Sequence, residues 1–234
     1  MQDQAHSLVE EAAARFESIP SNQRLLISVA GIPGSGKTTL AAHVVRGLNE
    51  KLGGAVAAMV PMDGYHYTRA QLSAMPDPAR AHYCRGAHWT FDPIGLAKLI
   101  VACKAPISET EPPTIYAASF DHAVKDPVEN DIPIKPTQRI LVFEGNYLSL
   151  SAPEEWTAVS ALFDMRWFVE VDENLAKQRL AKRHVAAGIS ATLEDGVARA
   201  EGNDIPNGRF LLENRVPVDI VIESKNDLSF AAIV

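Results

Sequence analysis

The run Gly31-Ile32-Pro33-Gly34-Ser35-Gly36-Lys37-Thr38-Thr39 has the residue types and spacing to hold a chain of phosphates. In the pattern G-x-x-x-x-G-K-[ST], glycines let backbone N–H groups crowd around phosphate oxygens with no Cβ in the way. Lys37 supplies a mobile positive charge for the β- and γ-phosphates, and the Thr38 hydroxyl is placed to ligate Mg²⁺. Context supports the match. Leu25–Ala30 is an apolar run that leads straight into the loop. Leu40, Val44, Val45 and Leu48 then mark the buried stripe of a helix, whose dipole aims its positive end at the same anion. A nucleoside triphosphate site is the expectation.

Two acids stand where chemistry beside such a loop would need them. Asp63 follows the apolar run Ala55–Val60 and could accept the proton of an attacking hydroxyl, although Asp63-Gly64 also reads as a simple turn. Glu144 closes the run Arg139–Phe143; beside a phosphate loop a carboxylate there is expected on the Mg²⁺ side of the site, although a helix-capping or solvated Glu is the other reading. Arg179 and Arg183 are four residues apart and share one face of a helix, either solvated or part of a lid over the triphosphate. Tyr65 and His66 follow Asp63, and Cys84–Trp89 sets Arg85 and His88 beside an indole; these are candidate acceptor contacts. His66, His88 and His122 lack the spacing of a transition-metal site.

The elements that must position these residues alternate. Apolar runs at Leu25–Ala30, Ala55–Val60, Arg139–Phe143, Trp167–Val171 and Asp219–Ile222 predict parallel strands. Helical patterns at Lys37–Lys51, Pro93–Cys103, Glu154–Leu162, Glu173–Ala187 and Thr192–Glu201 lie between most of them. Asp92-Pro93 reads as an N-cap with proline in the first turn, and Thr192 with Asp195 as a capping box. The fold class is therefore α/β, a three-layer P-loop arrangement with a central, mostly parallel sheet. One domain over 1–234 is expected, with an N-terminal helix in 1–23 and a small lid over 173–203. Segments 61–92 and 105–138 break the alternation, the second with six prolines around a short strand-like piece, Thr114–Ala117. Long irregular segments in a compact domain are commonly binding loops, so both are assigned to an acceptor.

Bulk properties narrow the classes. Hydrophobic residues make up 47% of the 234 positions, which fits a globular chain. A net charge of −7 with no basic stripe argues against a nucleic-acid partner. No apolar run is long enough for a bilayer, and the Ala-rich start, with Leu8, Ala12 and Phe16 at helical spacing, reads as a docking helix and not a signal peptide. Cys84 and Cys103 read as reduced thiols of a cytoplasmic protein. A homo-oligomer is left open.

Taken together, the sequence resembles the P-loop kinases that include uridine kinase, bacterial type I pantothenate kinase and phosphoribulokinase. The resemblance runs from about Arg24 to Ile222. It is carried by Gly31–Thr39, Met62-Asp63-Gly64-Tyr65-His66, Arg85-Gly86 with Phe91-Asp92, Pro113–His122, Phe143-Glu144-Gly145-Asn146 and Arg179–Arg183. It implies Asp63 as catalytic base, Glu144 as the acid near the metal, and Arg179 and Arg183 as lid residues. It also implies acceptor contacts from Asp92, Tyr65, Tyr116 and either Asp121 or His122. The stretch Arg85–Trp89 is nearer to the pantothenate kinases, while Val185–Gly188 is less basic than the nucleoside kinase lid, so the chain reads as a divergent branch. The implied activity is γ-phosphoryl transfer from ATP·Mg²⁺ to a small-molecule hydroxyl on a nucleoside, a pantothenate-like alcohol or a sugar. The rival is a P-loop ATPase or nucleotide switch. Ser224–Asp227 distantly resembles a guanine-specifying motif and Asp92-Pro93-Ile94-Gly95 fits Asp-x-x-Gly, but neither lies in the right context.

Overall fold

In a computed structural model, which describes residues 1–121, 123–227 and 230, the alternation becomes a three-layer α/β domain. The strands β1 (Leu25–Gly31), β2 (Ala57–Pro61), β5 (Ile140–Glu144), β6 (Met165–Glu170) and β7 (Ile220–Glu223) form one parallel sheet in the order β2-β5-β1-β6-β7. Every residue of β1 and β5 is buried, as expected of strands covered on both faces. Period-two alternation splits their side chains. Leu25, Ile27, Val29, Ile140 and Val142 meet helices α1 (Gln2–Glu17) and α2 (Lys37–Leu52). Leu26, Ala30, Leu141 and Phe143 meet α5 (Pro93–Lys104) and α6 (Glu154–Ser160) on the other side, around Trp156 and Tyr147. Fully burying one such aliphatic or aromatic side chain contributes about 1.5–3 kcal/mol, so the two faces together fix the sheet.

The helix signals act where the sequence placed them. Asp92 Oδ1 accepts the Gly95 N–H (2.9 Å) to cap α5. Thr192 and Asp195 form a reciprocal capping box at α8 (Leu193–Arg199). Helix α7 (Glu173–Ala186) starts under the Asp172 cap.

The two irregular segments hold more order than periodicity predicts. Segment 61–92 contains a 3₁₀ turn at Met62–Tyr65 and the short helices α3 (Arg69–Ser73) and α4 (Pro78–Tyr83), each capped at its start by Thr68 or Asp77. Segment 105–138 contains a hairpin of β3 (Ile115–Asp121) and β4 (Asp126–Ile134), paired antiparallel with a bulge between Ala117 and Ser119. Pro127, Pro133 and the exposed acids of β4 hide it from a hydrophobic-pattern reading, yet a two-stranded ribbon tolerates both. The last predicted helix ends early. After α8 the chain makes a π-helical turn, Ala200–Asp204, before a further helix α9 (Ile205–Glu213). Among the described residues no helix is long and apolar enough to cross a membrane.

The hairpin reaches the sheet through a close backbone approach. A Cβ on Gly64 would lie 2.0 Å from Ala118 O at the bulge. Gly64→Ala therefore forces β3 away from the turn that carries Asp63. Overpacking of this kind costs about 1–3 kcal/mol, which should lower Tm by about 2–10 °C in a thermal melt. An unchanged Tm would show that the hairpin does not rest on this contact.

Candidate active site

The phosphate loop is built as its sequence requires. Gly34 and Gly36 have φ of 80° and 87°, and a Cβ at Gly34 would lie 2.7 Å from Ala176 O. Ser35 N–H closes the turn on Ile32 O (3.1 Å), and α2 starts at Lys37, leaving its first N–H groups without helical acceptors. The Ser35 hydroxyl oxygen is buried with no partner. This cradle of glycines, orphan donors and one orphan hydroxyl fits a triphosphate.

Sheet register sets the other groups around it. Glu144 pairs with Val29 of β1 and with Pro61 of β2, two residues before Gly31 on one side and two before Asp63 on the other. Thr38 Oγ1 donates to Glu144 Oε2 (3.0 Å), joining the loop to the acid. Burial pushes the Glu144 carboxyl above its usual range; the Lys37 ammonium opposes this and Asp63 reinforces it. Burial likewise lowers the Lys37 ammonium, against the pull of Glu144 and then of Asp63, while Arg183 adds to the lowering. Lys37, Thr38, Asp63, Glu144 and Arg183 thus share one electrostatic site. A hydroxyl and a carboxylate are the hard-oxygen donors that Mg²⁺ takes, with phosphate oxygens and water completing its shell.

The remaining sequence-predicted residues spread around this centre. Arg179 lies behind the loop: Nη1 donates to Gly34 O (3.1 Å) and Ser224 Oγ (2.9 Å), and Nη2 to Lys225 O (2.9 Å). The helix expected to be a mobile lid is therefore tied to the phosphate loop. Tyr65, pushed up to about 12 by burial, is hydrogen-bonded to the Ala118 backbone. His66 Nδ1–H donates to Asp63 O (2.8 Å), and its ring lies against Phe91 and Phe120.

Arg85 engages its guanidinium within the chain, donating to Tyr67 O (2.8 Å), Asp126 Oδ1 (3.0 Å) and Lys125 O. His88 stacks on Phe210 at 4.2 Å, and burial lowers its pKa. Asp92 caps α5, while its charge also reaches Tyr65 and Tyr67. Tyr116 stands exposed on β3. Asp121 Oδ1 accepts the N–H groups of Ala123 and Val124 in the hairpin turn. His122 lies outside the described residues.

The sequence assigns no role to three groups that the fold brings in, although Asn146 stands in the motif Phe143–Asn146. The π-helical turn carries Asn203, which donates to Arg85 O (3.1 Å), and Asp204, which accepts from His184 Nε2 (2.9 Å) and whose charge reaches Lys37. Asn146, two residues past Glu144, has a side-chain oxygen buried without a partner. A π-turn interrupting a helical run has no periodic signature, and Asn after a strand reads as a turn residue.

Comparison with known proteins places this site in a family. No family model matches the chain. A Schizosaccharomyces pombe protein provisionally named as a uridine kinase is 41% identical over 88% of this chain and 86% of its own length. The chain belongs to the uridine kinase-like P-loop kinases. An Aspergillus versicolor protein named ATP-dependent kinase-like protein notR' is 45% identical over 69% of this chain and 92% of its own. A solved structure from Silicibacter, provisionally named as a fructose transport system kinase, has a TM-score of 0.77 and 30% identity, covering 92% of this chain and 98% of that one. The resemblance read from the motifs holds at the level of family and fold, and the differing names fit a divergent branch.

Because burial holds His88 below its unfolded pKa of about 6.5, folding favours the neutral ring. Its contribution is present above that value and is lost as pH falls through the lowered one. His88→Phe keeps the stack on Phe210 without a titrating group. Melts between about pH 7 and pH 5 should show a smaller loss of Tm for the variant than for the parent chain. Parallel losses would contradict the assignment.

Proposed function

We propose that the protein is an ATP·Mg²⁺-dependent kinase that transfers the γ-phosphoryl group to a hydroxyl of a small molecule. The observation that carries the reading is the register of the acids. Glu144 lies level with the end of β2 and two residues short of the end of β1, so the strand feeding the phosphate loop and the strand feeding Asp63 flank one metal-side carboxylate. The names of the relatives support ATP as donor.

Each residue then has a defined task. The loop N–H groups and Lys37 hold the β- and γ-phosphates, and Lys37 and Arg183 offset charge on the transferred group. Thr38 and Glu144 would hold Mg²⁺, which when bound draws charge off the phosphate oxygens. Asp63 accepts the proton of the acceptor hydroxyl as its oxygen bonds to phosphorus; ADP leaves and the product is a phosphate monoester. Arg179 keeps the loop in shape from behind. The acceptor is a nucleoside, a pantothenate-like alcohol or a sugar. The motifs that favoured a switch are engaged elsewhere: Asp92 caps α5, and Ser224 and Lys225 accept from Arg179.

Asp63→Asn keeps the shape of the side chain and removes the base. Turnover should fall by at least about 100-fold. ATP affinity, measured by calorimetry, should stay within about threefold, because the phosphates are held by other groups. A variant with full turnover would remove Asp63 from the chemistry.

A further inference from the structure

From Glu144 to Leu150 every residue is buried except Asn146. It lies just past the carboxyl end of β5, between the strand that feeds the phosphate loop and the strand that feeds Asp63. Its neighbours hold it firmly. Gly145 N–H donates to Val29 O (3.2 Å), and a Cβ on Gly145 would lie 2.3 Å from the Cβ of Met62, the residue before Asp63. On the other side the Tyr147 hydroxyl donates to Gly86 O (2.6 Å) in the acceptor segment.

The usual structural reasons for an asparagine do not apply here. Its φ is not positive, so it does not serve a left-handed turn. Its side-chain oxygen caps no helix and closes no Asx turn; the atom is buried and has no partner. A desolvated acceptor left unpaired is destabilising, and such atoms in a native protein call for an explanation. A ligand offering an O–H or N–H would supply the missing partner.

We propose that Asn146 is an acceptor-binding residue, its Oδ1 taking a hydrogen bond from a hydroxyl of the compound whose neighbouring hydroxyl is phosphorylated. The acceptor is then a polyhydroxy compound, with one hydroxyl for Asp63 and another for Asn146. This rests on the kinase reading and adds a residue and a chemical requirement to it.

The test measures ADP release with ATP·Mg²⁺ against uridine, D-fructose, D-glycerate and pantothenate, using the full chain, Asn146→Ala and Asn146→Ser. For a compound that stimulates the parent chain, Asn146→Ala should raise the acceptor KM at least about tenfold, with Asn146→Ser intermediate. The KM for ATP should stay within about twofold, and the Tm should be unchanged or higher, because an unpaired oxygen has been removed. A lower Tm with unchanged KM values would make Asn146 a structural residue and overturn the proposal alone. So would a change confined to the KM for ATP. If no compound stimulates ADP release or shifts the Tm of the parent chain, the kinase reading falls and this one falls with it.

Discussion

An ammonium and a carboxylate share one buried place at the carboxyl ends of β1 and β5, and the rest of the site is arranged around that constraint. Burial drives both Lys37 and Glu144 toward their neutral forms, and each charge partly offsets that penalty for the other. The pairing needs the parallel register that sets Glu144 beside Val29 and Pro61, and the hydrophobic faces of the sheet impose that register because a one-residue slip would turn every side chain over. Thr38 completes the link by donating to Glu144 from the first turn of α2. The phosphate loop, Glu144 and the turn that carries Asp63 are thereby fixed relative to one another. Phosphoryl transfer depends on such positioning.

The side built from segments 61–92 and 105–138 is held by a different device. It packs Met62, Phe91, Ala117 and Ile134 into one face's core and is tied further by backbone carbonyls that accept from distant side chains. Tyr147 reaches Gly86 O, Trp156 reaches His88 O and Asn203 reaches Arg85 O, each joining segment 84–90 to another part of the fold. Arg85 passes the restraint on to the hairpin through Asp126. Residues that look like ligand contacts in the sequence, Arg85 among them, thus serve to tie parts of the fold together. Helix α7 has a similar dual character: Arg179 anchors its first half to the phosphate loop, while Arg183, one turn on, faces solvent within reach of Lys37.

How far the sequence was legible follows from which interactions are local. The phosphate loop, the buried strands and the caps at Asp92 and Thr192 could be read because each depends on neighbours within a few residues. The hairpin could not, since β4 is recognisable only as the partner of β3 and its prolines and acids conceal it. The π-helical turn was also hidden: Asn203 and Asp204 gain meaning only from Arg85 and His184, far away in the chain. Asp63 and Glu144 were legible as acids ending apolar runs, but their placement at the carboxyl ends of two adjacent strands, β2 and β5, is a property of strand order. Arg179 was legible as a lid cation and not as the brace behind the loop, because most of its partners, Gly34 O and Lys225 O among them, are backbone atoms that leave no trace in residue type.

The most direct test is ³¹P NMR of the protein with ATP·Mg²⁺ and each acceptor in turn, beside a sample without acceptor. A phosphate-monoester signal should grow in step with ADP for one compound and be absent without it. Inorganic phosphate and ADP growing equally in every tube, with no monoester, would contradict a kinase and make the protein an ATPase.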